Sequence, residues 1–219
     1  IGGYSTRPNA AFVSEAEEIH RVTSALEVIR RNYADLPVSV DTFRARVAEI
    51  AVGDYEADII NDVSGGTLDD NMLPTMAKLN VPYILMHMRG TPQTMAQMTD
   101  YDDIVADVLK YFAERIDTLR QLGYCSDIIL DLGFGFAKTT EQNYKLLANQ
   151  WAFECFELPI LTGISRKSMI NRVIDTTPQE ALNGTTVLNT LALLGGADIL
   201  RVHDTRQAME AIKLVEYYR

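Results

Sequence analysis

Polar and charged side chains stand at the ends of the apolar runs in this sequence. Asp41, Asn61 and Asp131 each end or follow such a run. A buried carboxylate of this kind can accept two N–H groups from a flat, nitrogen-rich ring. A second set carries or can gain positive charge and suits a phosphate or a carboxylate: Arg7, Lys167, Arg201 and His203. Together the two sets would bind a heterocycle beside an anion, which is typical of transfer chemistry with an anionic leaving group.

Each residue also has a simpler structural interpretation. Asp41 or Asp131 could cap the following helix, and a lone histidine such as His87 is often a hydrogen-bonded structural residue. Met86 is a typical core residue, and the Gly-rich stretch 133–136 favours a plain turn, because it lacks the spacing of a dinucleotide-binding loop. However, a polar residue ends every predicted strand, and capping alone does not explain that recurrence. The pattern favours a shared pocket.

The elements that position these residues are short apolar runs alternating with helical patterns. Continuous hydrophobicity is typical of strands buried on both faces of a parallel sheet. The predicted strands are Val38–Asp41, Asp58–Asn61, Tyr83–Met88, Ile128–Asp131, Ile160–Ile164 and Ile199–His203, with a further strand end at residues 1–3. In such α/β folds, functional groups gather at the carboxyl ends of the strands.

Two architectures fit this series, a (β/α)8 TIM barrel and an open doubly wound sheet. A typical barrel needs about 250 residues, and this chain has 219. We expect a barrel whose first unit and most of whose second strand are absent, with residues 1–3 ending the second strand. Because no linker interrupts the alternation, residues 1–219 are predicted to form a single domain.

Helix starts are marked by capping residues. The predicted starts are Ser14 with Glu17, Thr139 with Gln142, and Thr177 with Pro178 and Glu180, the last being the strongest. Two further amphipathic segments, Asp103–Leu122 and Arg206–Tyr218, are predicted to be long helices.

Composition narrows the function. The net charge of −10 argues against non-specific binding to nucleic acid or to an anionic membrane. With no signal peptide and no long apolar run, a cytoplasmic location is expected. The two cysteines, Cys125 and Cys155, lack metal-ligand spacing and are predicted to be free thiols. No zinc cluster, Ser-His-Asp order or P-loop is present, so a metal site built from protein ligands alone is not expected.

Seven ordered stretches resemble the dihydropteroate synthase family. They are "GGYSTRP", "SVDT", "IINDV", "LMHMRGTPQTM", "LDLGFGFAK", "GISRKSM" and "RVHD", and they cover essentially the whole chain. The resemblance implies a (β/α)8 pterin-binding barrel and a homodimer. It also implies an enzyme of folate synthesis that joins a pterin-methyl pyrophosphate to p-aminobenzoate and is the target of sulfonamides.

The resemblance also assigns roles to residues. The implied catalytic residues are Lys167, Asp131, Asp41 and Arg7. Those implied to bind pterin are Asp41, Asn61, Val63, Met86, Asp131, Phe136, Leu161, Gly163, Lys167 and Arg201. Thr6, Arg7, Pro8, Phe136, Ser165 and Lys167 would form the p-aminobenzoate site, and Asn61, Arg201 and His203 would hold pyrophosphate. Arg166 is expected to make a structural or a pyrophosphate-side contact.

The family mechanism is dissociative: pyrophosphate leaves first, and the aniline nitrogen then attacks a cationic pterin methylene. Mg²⁺ is the implied cofactor. Its asparagine ligand belongs to the family motif Asn-Val-Thr-Pro-Asp-Ser-Phe, which this sequence lacks, so no metal ligand is expected within the chain. Milder departures are Tyr4, where glutamate is frequent, and Leu132, where proline is frequent. We expect the chain to be part of a longer protein.

Two alternatives stay open at this point. A corrinoid methyltransferase would share the pterin pocket, but it would have no reason to keep "STRP" together with "SRKS". A non-catalytic homologue or fragment is favoured only by the absence of the Mg²⁺-side motif.

Overall fold

Six parallel strands form one sheet in the computed structural model, which describes residues 1–6 and 10–219. The strands are β1 Ser39–Asp41, β2 Ile59–Asp62, β3 Tyr83–Met86, β4 Ile128–Asp131, β5 Ile160–Thr162 and β6 Ile199–Leu200. Their order in the sheet is their order in the sequence, and every neighbouring pair is parallel. An isolated parallel bridge joins Gly2 to Asp41 beyond β1, where the sequence predicts a strand end.

Helices connect successive strands. They are α1 Glu15–Asn32, α2 Ala45–Gly53, α3 Met72–Leu79, α4 Ile104–Gln121, α5 Thr140–Ala148, α6 Ser168–Ile174, α7 Leu182–Leu194 and α8 Thr205–Tyr218, with 3₁₀ turns at Met95–Gln97 and Gln150–Phe156. A doubly wound sheet reverses its strand order at a switch point, whereas this order runs straight from β1 to β6. The doubly wound alternative is therefore wrong, and the described part of the chain is an α/β half-barrel.

The two faces of the sheet differ in what they bury, because successive strand residues point to opposite faces. Val40, Ile60, Leu85 and Leu130 belong to the main core, together with apolar residues of the helices. Ile84, Ile129 and Leu161 form a separate apolar layer, with Ile59 packed against it. Two residues further along β2, β3, β4 and the β5 chain, on the same face as this layer, are Asn61, Met86, Asp131 and Gly163. The polar residues of the predicted pocket therefore lie next to this apolar layer, towards the carboxyl ends of the strands.

Three strands end earlier than predicted. Strand β3 stops at Met86, β5 at Thr162 and β6 at Leu200. Because the chain leaves the sheet at these points, the residues that follow lie in loops at its carboxyl edge. This places Gly163 to Lys167 and Arg201 to His203 in connecting segments.

Two of the predicted helix starts are confirmed. The Ser14 hydroxyl accepts from the backbone N–H of Glu17 at the start of α1, although the Glu17 carboxylate binds Arg21. Thr139 and Gln142 form a complete capping box at the start of α5. Helix α4 begins after Asp103, whose side chain accepts from the N–H of Val105.

The third start, at Thr177, is wrong. Helix α7 begins at Leu182, and Thr177–Ala181 is a turn. The Arg166 guanidinium explains this turn, because it donates to the carbonyl oxygens of Pro178 and Gln179, each at 2.7 Å. The Thr177 hydroxyl meanwhile donates to the Glu180 carboxylate at 3.2 Å rather than capping a helix.

No helix among residues 1–6 and 10–219 combines the length and the apolar composition needed to cross a membrane. Cys125 and Cys155 are free, as predicted, and both are exposed.

Candidate active site

Two neighbouring strand ends place a carboxylate beside a carboxamide. Asp41 ends β1 and is in register with Asn61 of β2. The Asn61 side-chain N–H₂ donates to Asp41 Oδ1 at 2.8 Å. This bond uses one donor of Asn61, which is nearly fully buried, and fixes the orientation of its amide.

Asp131 and Arg201 form an ion pair across the sheet. Arg201 donates through Nη2 to Asp131 Oδ2 at 2.6 Å, and the backbone N–H of Gly133 donates to Asp131 Oδ1 at 2.8 Å. Asp131 is buried, and its charge raises the pKa of Arg201, with burial acting in the opposite direction. The carboxylate predicted to accept ring N–H groups is therefore already paired with a cation.

Gly163 makes room for that guanidinium. A Cβ at residue 163 would lie 2.7 Å from Arg201 Nη2 and 3.0 Å from its Nε. Only a residue without a side chain allows Arg201 to lie against the backbone here.

Buried polar atoms without a partner mark this end of the sheet. Among the described residues, Asn61 Oδ1 and Arg201 Nη1 are buried and have no hydrogen-bond partner. Each such group costs about 1–3 kcal/mol when left unpaired. An unpaired acceptor and an unpaired donor beside Asp41 and Asp131 fit a polar ligand that offers both kinds of group.

Lys167 reaches the same region from the loop after β5. Its Nζ donates to the Phe134 carbonyl oxygen at 2.5 Å and lies 4.9 Å from the centroid of the Phe136 ring. Burial lowers the pKa of Lys167 to about 8; Asp131 opposes this shift, and Arg201 adds to it. The Lys167 ammonium therefore loses its proton more readily than an ordinary lysine, and it lies between the Asp131 carboxylate and the Phe136 ring.

A cavity of about 730 Å³ opens beside Lys167. Residues predicted to bind p-aminobenzoate or pyrophosphate line it: Thr6, Phe136, Ser165, Lys167 and His203. The Ser165 hydroxyl lies 2.9 Å from His203 Nδ1 and accepts from the His203 backbone N–H at 3.2 Å. Arg7 and Pro8, which were predicted for the same site, lie outside the described residues.

The predicted apolar residues of the pterin pocket are buried beneath the polar ones. Val63 and Met86 pack in one cluster, against which Phe136 lies. Leu161 belongs to the apolar layer of the sheet. Beside Asp41 and Val63 the open space is only about 30 Å³, so this half of the site is nearly closed.

Comparisons with known proteins agree with this geometry. Residues 1–203 match the family model described as "Pterin binding enzyme". The dihydropteroate synthase of Escherichia coli is 41% identical over 217 residues, covering 99% of this chain and 76% of that protein. The crystal structure of the Yersinia pestis dihydropteroate synthase in a sulfonamide drug complex superimposes with a TM-score of 0.93 at 38% identity, covering 99% of this chain and 78% of that one.

The chain belongs to the dihydropteroate synthase family. Members of this family are transferases, so the chain is an enzyme of that class. A further member, the Xanthomonas albilineans dihydropteroate synthase with 4-aminobenzoic acid, superimposes with a TM-score of 0.90 at 36% identity, covering 100% of this chain and 77% of that one. The chain therefore spans about three quarters of the length of these relatives.

Two strand-end residues point away from the synthase pocket. Asp62 is buried and accepts from Ser64, Gly66 and the Tyr83 hydroxyl. The pKa of His87 is held well below its usual range by burial, with Lys138 and Arg89 adding to the shift. His87 Nδ1 also lies 3.0 Å from Lys138 Nζ, so the ring is engaged within the fold, as the structural interpretation of a lone histidine expects.

Arg166 is a structural residue in this synthase. Its guanidinium makes two bonds to the Asp204 carboxylate, at 2.9 and 2.8 Å, in addition to those with Pro178 and Gln179. These contacts favour the structural one of the two roles that the sequence left open for Arg166.

Sequence reasoning missed two buried charged side chains of the synthase fold. Glu18 is completely buried and accepts from Thr42 and Arg44. Lys138 is buried beneath the loop after β4. A glutamate on an amphipathic helix carries no sequence signal that distinguishes it from an exposed residue. Lys138 follows the apolar stretch 132–137, and that context is the signal that could have indicated its burial.

A resident Mg²⁺ does not fit the described residues. Among residues 1–6 and 10–219, no group of three histidine, cysteine, aspartate or glutamate side chains could hold a metal ion. Asp41 and Asp131 are already bonded to Asn61 and Arg201.

Proposed function

We propose that this chain synthesises dihydropteroate by joining 6-hydroxymethyl-7,8-dihydropterin pyrophosphate to p-aminobenzoate, with release of pyrophosphate. The observation that carries the proposal is the pairing of two half-sites. The polar layer containing Asp131 and Asn61 suits a pterin ring, and the cavity of about 730 Å³ next to it suits an aromatic amine with a carboxylate. Lys167 stands between the two.

The pterin ring would bind by exchanging partners with Arg201. Its N–H groups would take the oxygens of Asp131, and another would reach the unpaired Asn61 Oδ1. Since the guanidinium now bonds to Asp131 Oδ2, it must leave that oxygen before the ring can enter. Once released, Arg201 would stack on the ring and face the pyrophosphate, together with Asn61 and His203. Lys167 would donate to a ring acceptor.

The p-aminobenzoate would occupy the larger cavity. Phe136 offers an aromatic face there, and the Ser165 hydroxyl would bind the carboxylate. Thr6 lines the same cavity, and Arg7 and Pro8 are proposed to complete it. A sulfonamide resembles p-aminobenzoate and would compete for this space, and the relatives crystallised with a sulfonamide drug and with 4-aminobenzoic acid support this assignment.

The reaction we propose is dissociative. The C–O bond between the pterin methylene and the pyrophosphate breaks, and its electron pair leaves with the oxygen. Asp41 and Asp131 favour the resulting pterin cation, while the neighbouring cationic side chains stabilise the charge on the leaving group. The lone pair of the aniline nitrogen then forms the new C–N bond, and the nitrogen loses a proton to the released pyrophosphate or to solvent. No protein nucleophile is required.

Mg²⁺ is proposed as a requirement for turnover, although the described residues do not form a site for it. A chelator titration of the intact protein tests the requirement directly.

Two larger-scale features are proposed from family membership. The straight strand order supports a sheet that continues into a complete (β/α)8 barrel. A homodimer is supported by exposed apolar side chains on α7 and α8, which flank a groove of about 400 Å³. The cytoplasmic location stays a prediction.

The test is product formation by the intact protein from the two substrates with Mg²⁺, followed by chromatography. Asp131→Asn should lower kcat/KM by at least about 100-fold, because it removes a buried charge and leaves Arg201 without its partner. Asp117→Asn, which changes an exposed carboxylate on α4, should have no effect.

The alternatives give different results. A non-catalytic homologue would bind pterin but form no product. A corrinoid methyltransferase would fail to bind p-aminobenzoate in the presence of pyrophosphate. Normal turnover by Asp131→Asn would overturn the assignment of this residue.

A further inference from the structure

A second buried lysine, Lys138, lies beneath the loop that joins β4 to α5. Its Nζ donates to the carbonyl oxygens of Gly133 at 2.9 Å and Phe136 at 3.0 Å, and lies 3.0 Å from His87 Nδ1. No carboxylate of the described residues forms an ion pair with it. Burying a cation without a counter-ion costs free energy. The hydrogen bonds of the ammonium must therefore offset that cost.

The loop above Lys138 has an unusual backbone. Gly133, Gly135 and Ala137 all have positive φ, at +67°, +81° and +49°. A Cβ at residue 133 would lie 2.0 Å from the His87 carbonyl oxygen, so the loop packs directly on the end of β3. Ala137 has a side chain, so its left-handed backbone conformation is energetically unfavourable. Bonds from the Lys138 ammonium to carbonyls on both sides of this turn compensate for that cost.

The same loop supplies contacts to both central residues of the proposed site. Its Gly133 N–H binds Asp131 Oδ1, its Phe134 carbonyl accepts from Lys167 Nζ, and its Phe136 ring lies under the same ammonium. Any change in the loop would therefore move a hydrogen bond of Asp131 and a hydrogen bond of Lys167 together.

We propose that Lys138 is a positioning residue of the pterin site: by tying the 133–137 loop to the end of β3, it sets the geometry of Asp131 and Lys167. It does so without touching either substrate. This inference rests on the proposed function, because it assumes that Asp131 and Lys167 bind the pterin.

Protonation of Lys138 is part of this arrangement. Burial lowers the pKa of Lys138 to about 7; Asp131 opposes the shift, and Lys167 and Arg89 add to it. The titratable or charged groups that face it are His87 and Arg89 after β3, Asp131 of β4, Lys167 after β5, and Tyr101 and Tyr111 from the α4 side. Loss of the proton leaves two N–H donors for three contacts, with Gly133, Phe136 and His87, so the tie between the loop and the end of β3 is weaker above neutral pH.

The experiment compares wild type, Lys138→Met and Lys145→Met in the intact protein. Methionine has a similar length and places an apolar chain where the buried cation was. Lys145 is an exposed lysine on α5 that pairs with Asp103, so it controls for the loss of a lysine as such. The measurements are the Kd of 6-hydroxymethyl-7,8-dihydropterin pyrophosphate by calorimetry between pH 6 and 9, the KM for p-aminobenzoate, and kcat.

We expect Lys138→Met to raise the pterin Kd at least about ten-fold and to lower kcat. The KM for p-aminobenzoate should rise as well, because Phe136 of the same loop and Lys167 line that cavity. Lys145→Met should match wild type. In wild type, pterin binding should weaken in two steps as the pH rises, near 7 for Lys138 and near 8 for Lys167, and Lys138→Met should lack the lower step.

A folded Lys138→Met protein with wild-type affinity and both pH steps would overturn the inference. If the variant does not fold, Lys138→Gln, which keeps a shorter polar side chain, decides: a rise of at least about ten-fold in the pterin Kd supports the inference, and a Kd within about two-fold of wild type refutes it. If wild type binds no pterin at all, the proposed function fails instead, which is a separate outcome.

Discussion

The absence of a side chain at Gly163 leaves space for the Arg201 guanidinium. Because a Cβ there would lie 2.7 Å from Arg201 Nη2, Gly163→Ala narrows the space beside Asp131 in which the guanidinium and the pterin ring are proposed to lie together. We expect a rise of about ten-fold or more in the pterin Kd, which corresponds to roughly 1.4 kcal/mol. The melting temperature should fall little, since the displaced atoms are the end of a long side chain. Calorimetric titration and thermal unfolding measure the two effects.

Gly53→Ala is the matched control. A Cβ at Gly53 would meet nothing within 4 Å, and the residue ends α2 with no positive φ. It should leave pterin binding unchanged and stabilise the protein by up to about 1 kcal/mol, because alanine favours helix more than glycine does. An unaltered Kd for Gly163→Ala would show that the space beside Gly163 is not used in pterin binding.

Individual site residues could be found from the sequence, but their pairings could not. Asp131 and Arg201 both stand at strand ends, which made each a candidate. Their ion pair joins residues 70 apart, and only the register of the sheet brings them together. Asp62 and His87 carry the same signal at the same kind of position, yet they are bonded within the fold. Residue type and strand-end position do not tell which way a side chain turns.

At the scale of elements, the capping box of α5 makes a measurable contribution. Thr139 accepts from the Gln142 N–H at 3.2 Å, and the Gln142 side chain accepts from the Thr139 N–H at 2.8 Å. Thr139→Ala leaves these end groups of the helix less well satisfied and should lower the free energy of unfolding by about 1 kcal/mol. Urea unfolding followed by circular dichroism gives the value.

Thr177→Ala is the comparison for that variant. Thr177 has the same sequence signature, but its hydroxyl bonds the Glu180 side chain and it caps no helix. The loss there should be no more than a few tenths of a kcal/mol, as for most surface substitutions. Equal losses at both positions would mean that the capping geometry does not determine the difference.

The contrast between the two threonines shows what local patterns can and cannot predict. The α5 start was correct because its partners lie within four residues of each other. The start at Thr177 was wrong because Arg166, eleven or more residues away, draws the Pro178 and Gln179 carbonyls into a turn. Local propensity decides an element only where no long-range bond competes for its backbone groups.

For the whole molecule, the alternation of apolar runs and helices predicted the parallel sheet and its six strands in order, although three of the predicted strands were too long at their carboxyl ends. It left open whether the sheet winds in one direction or two, since both produce the same pattern along the chain. The consecutive order from β1 to β6 resolved this point. That order depends on which face of the sheet each connection crosses, and the alternating pattern does not encode it.

The apolar surface of α7 and α8 leads to a prediction about assembly. Leu191, Leu214 and Tyr218 are exposed on these helices, and Leu214 and Tyr218 line the groove. Contiguous exposed apolar surface of this kind marks protein–protein contacts, and a homodimer is our proposal for the occupant. Leu214→Glu would bury a charge in that interface at no cost to the monomer, since Leu214 is 72% exposed.

Wild type should sediment as a dimer at micromolar concentration, and Leu214→Glu should raise the dimer Kd by at least about 100-fold, or roughly 2.7 kcal/mol. Leu122→Glu, at an exposed leucine after α4, should remain dimeric. Pterin binding should survive in both variants, because none of the groove residues belongs to the layer containing Asp131 and Arg201. A dimeric Leu214→Glu protein would place the contact elsewhere, and a monomeric wild type would exclude the dimer altogether. Because the residues proposed to contact the pterin all belong to one chain, loss of the dimer is expected to change assembly and leave the affinity for pterin as it was.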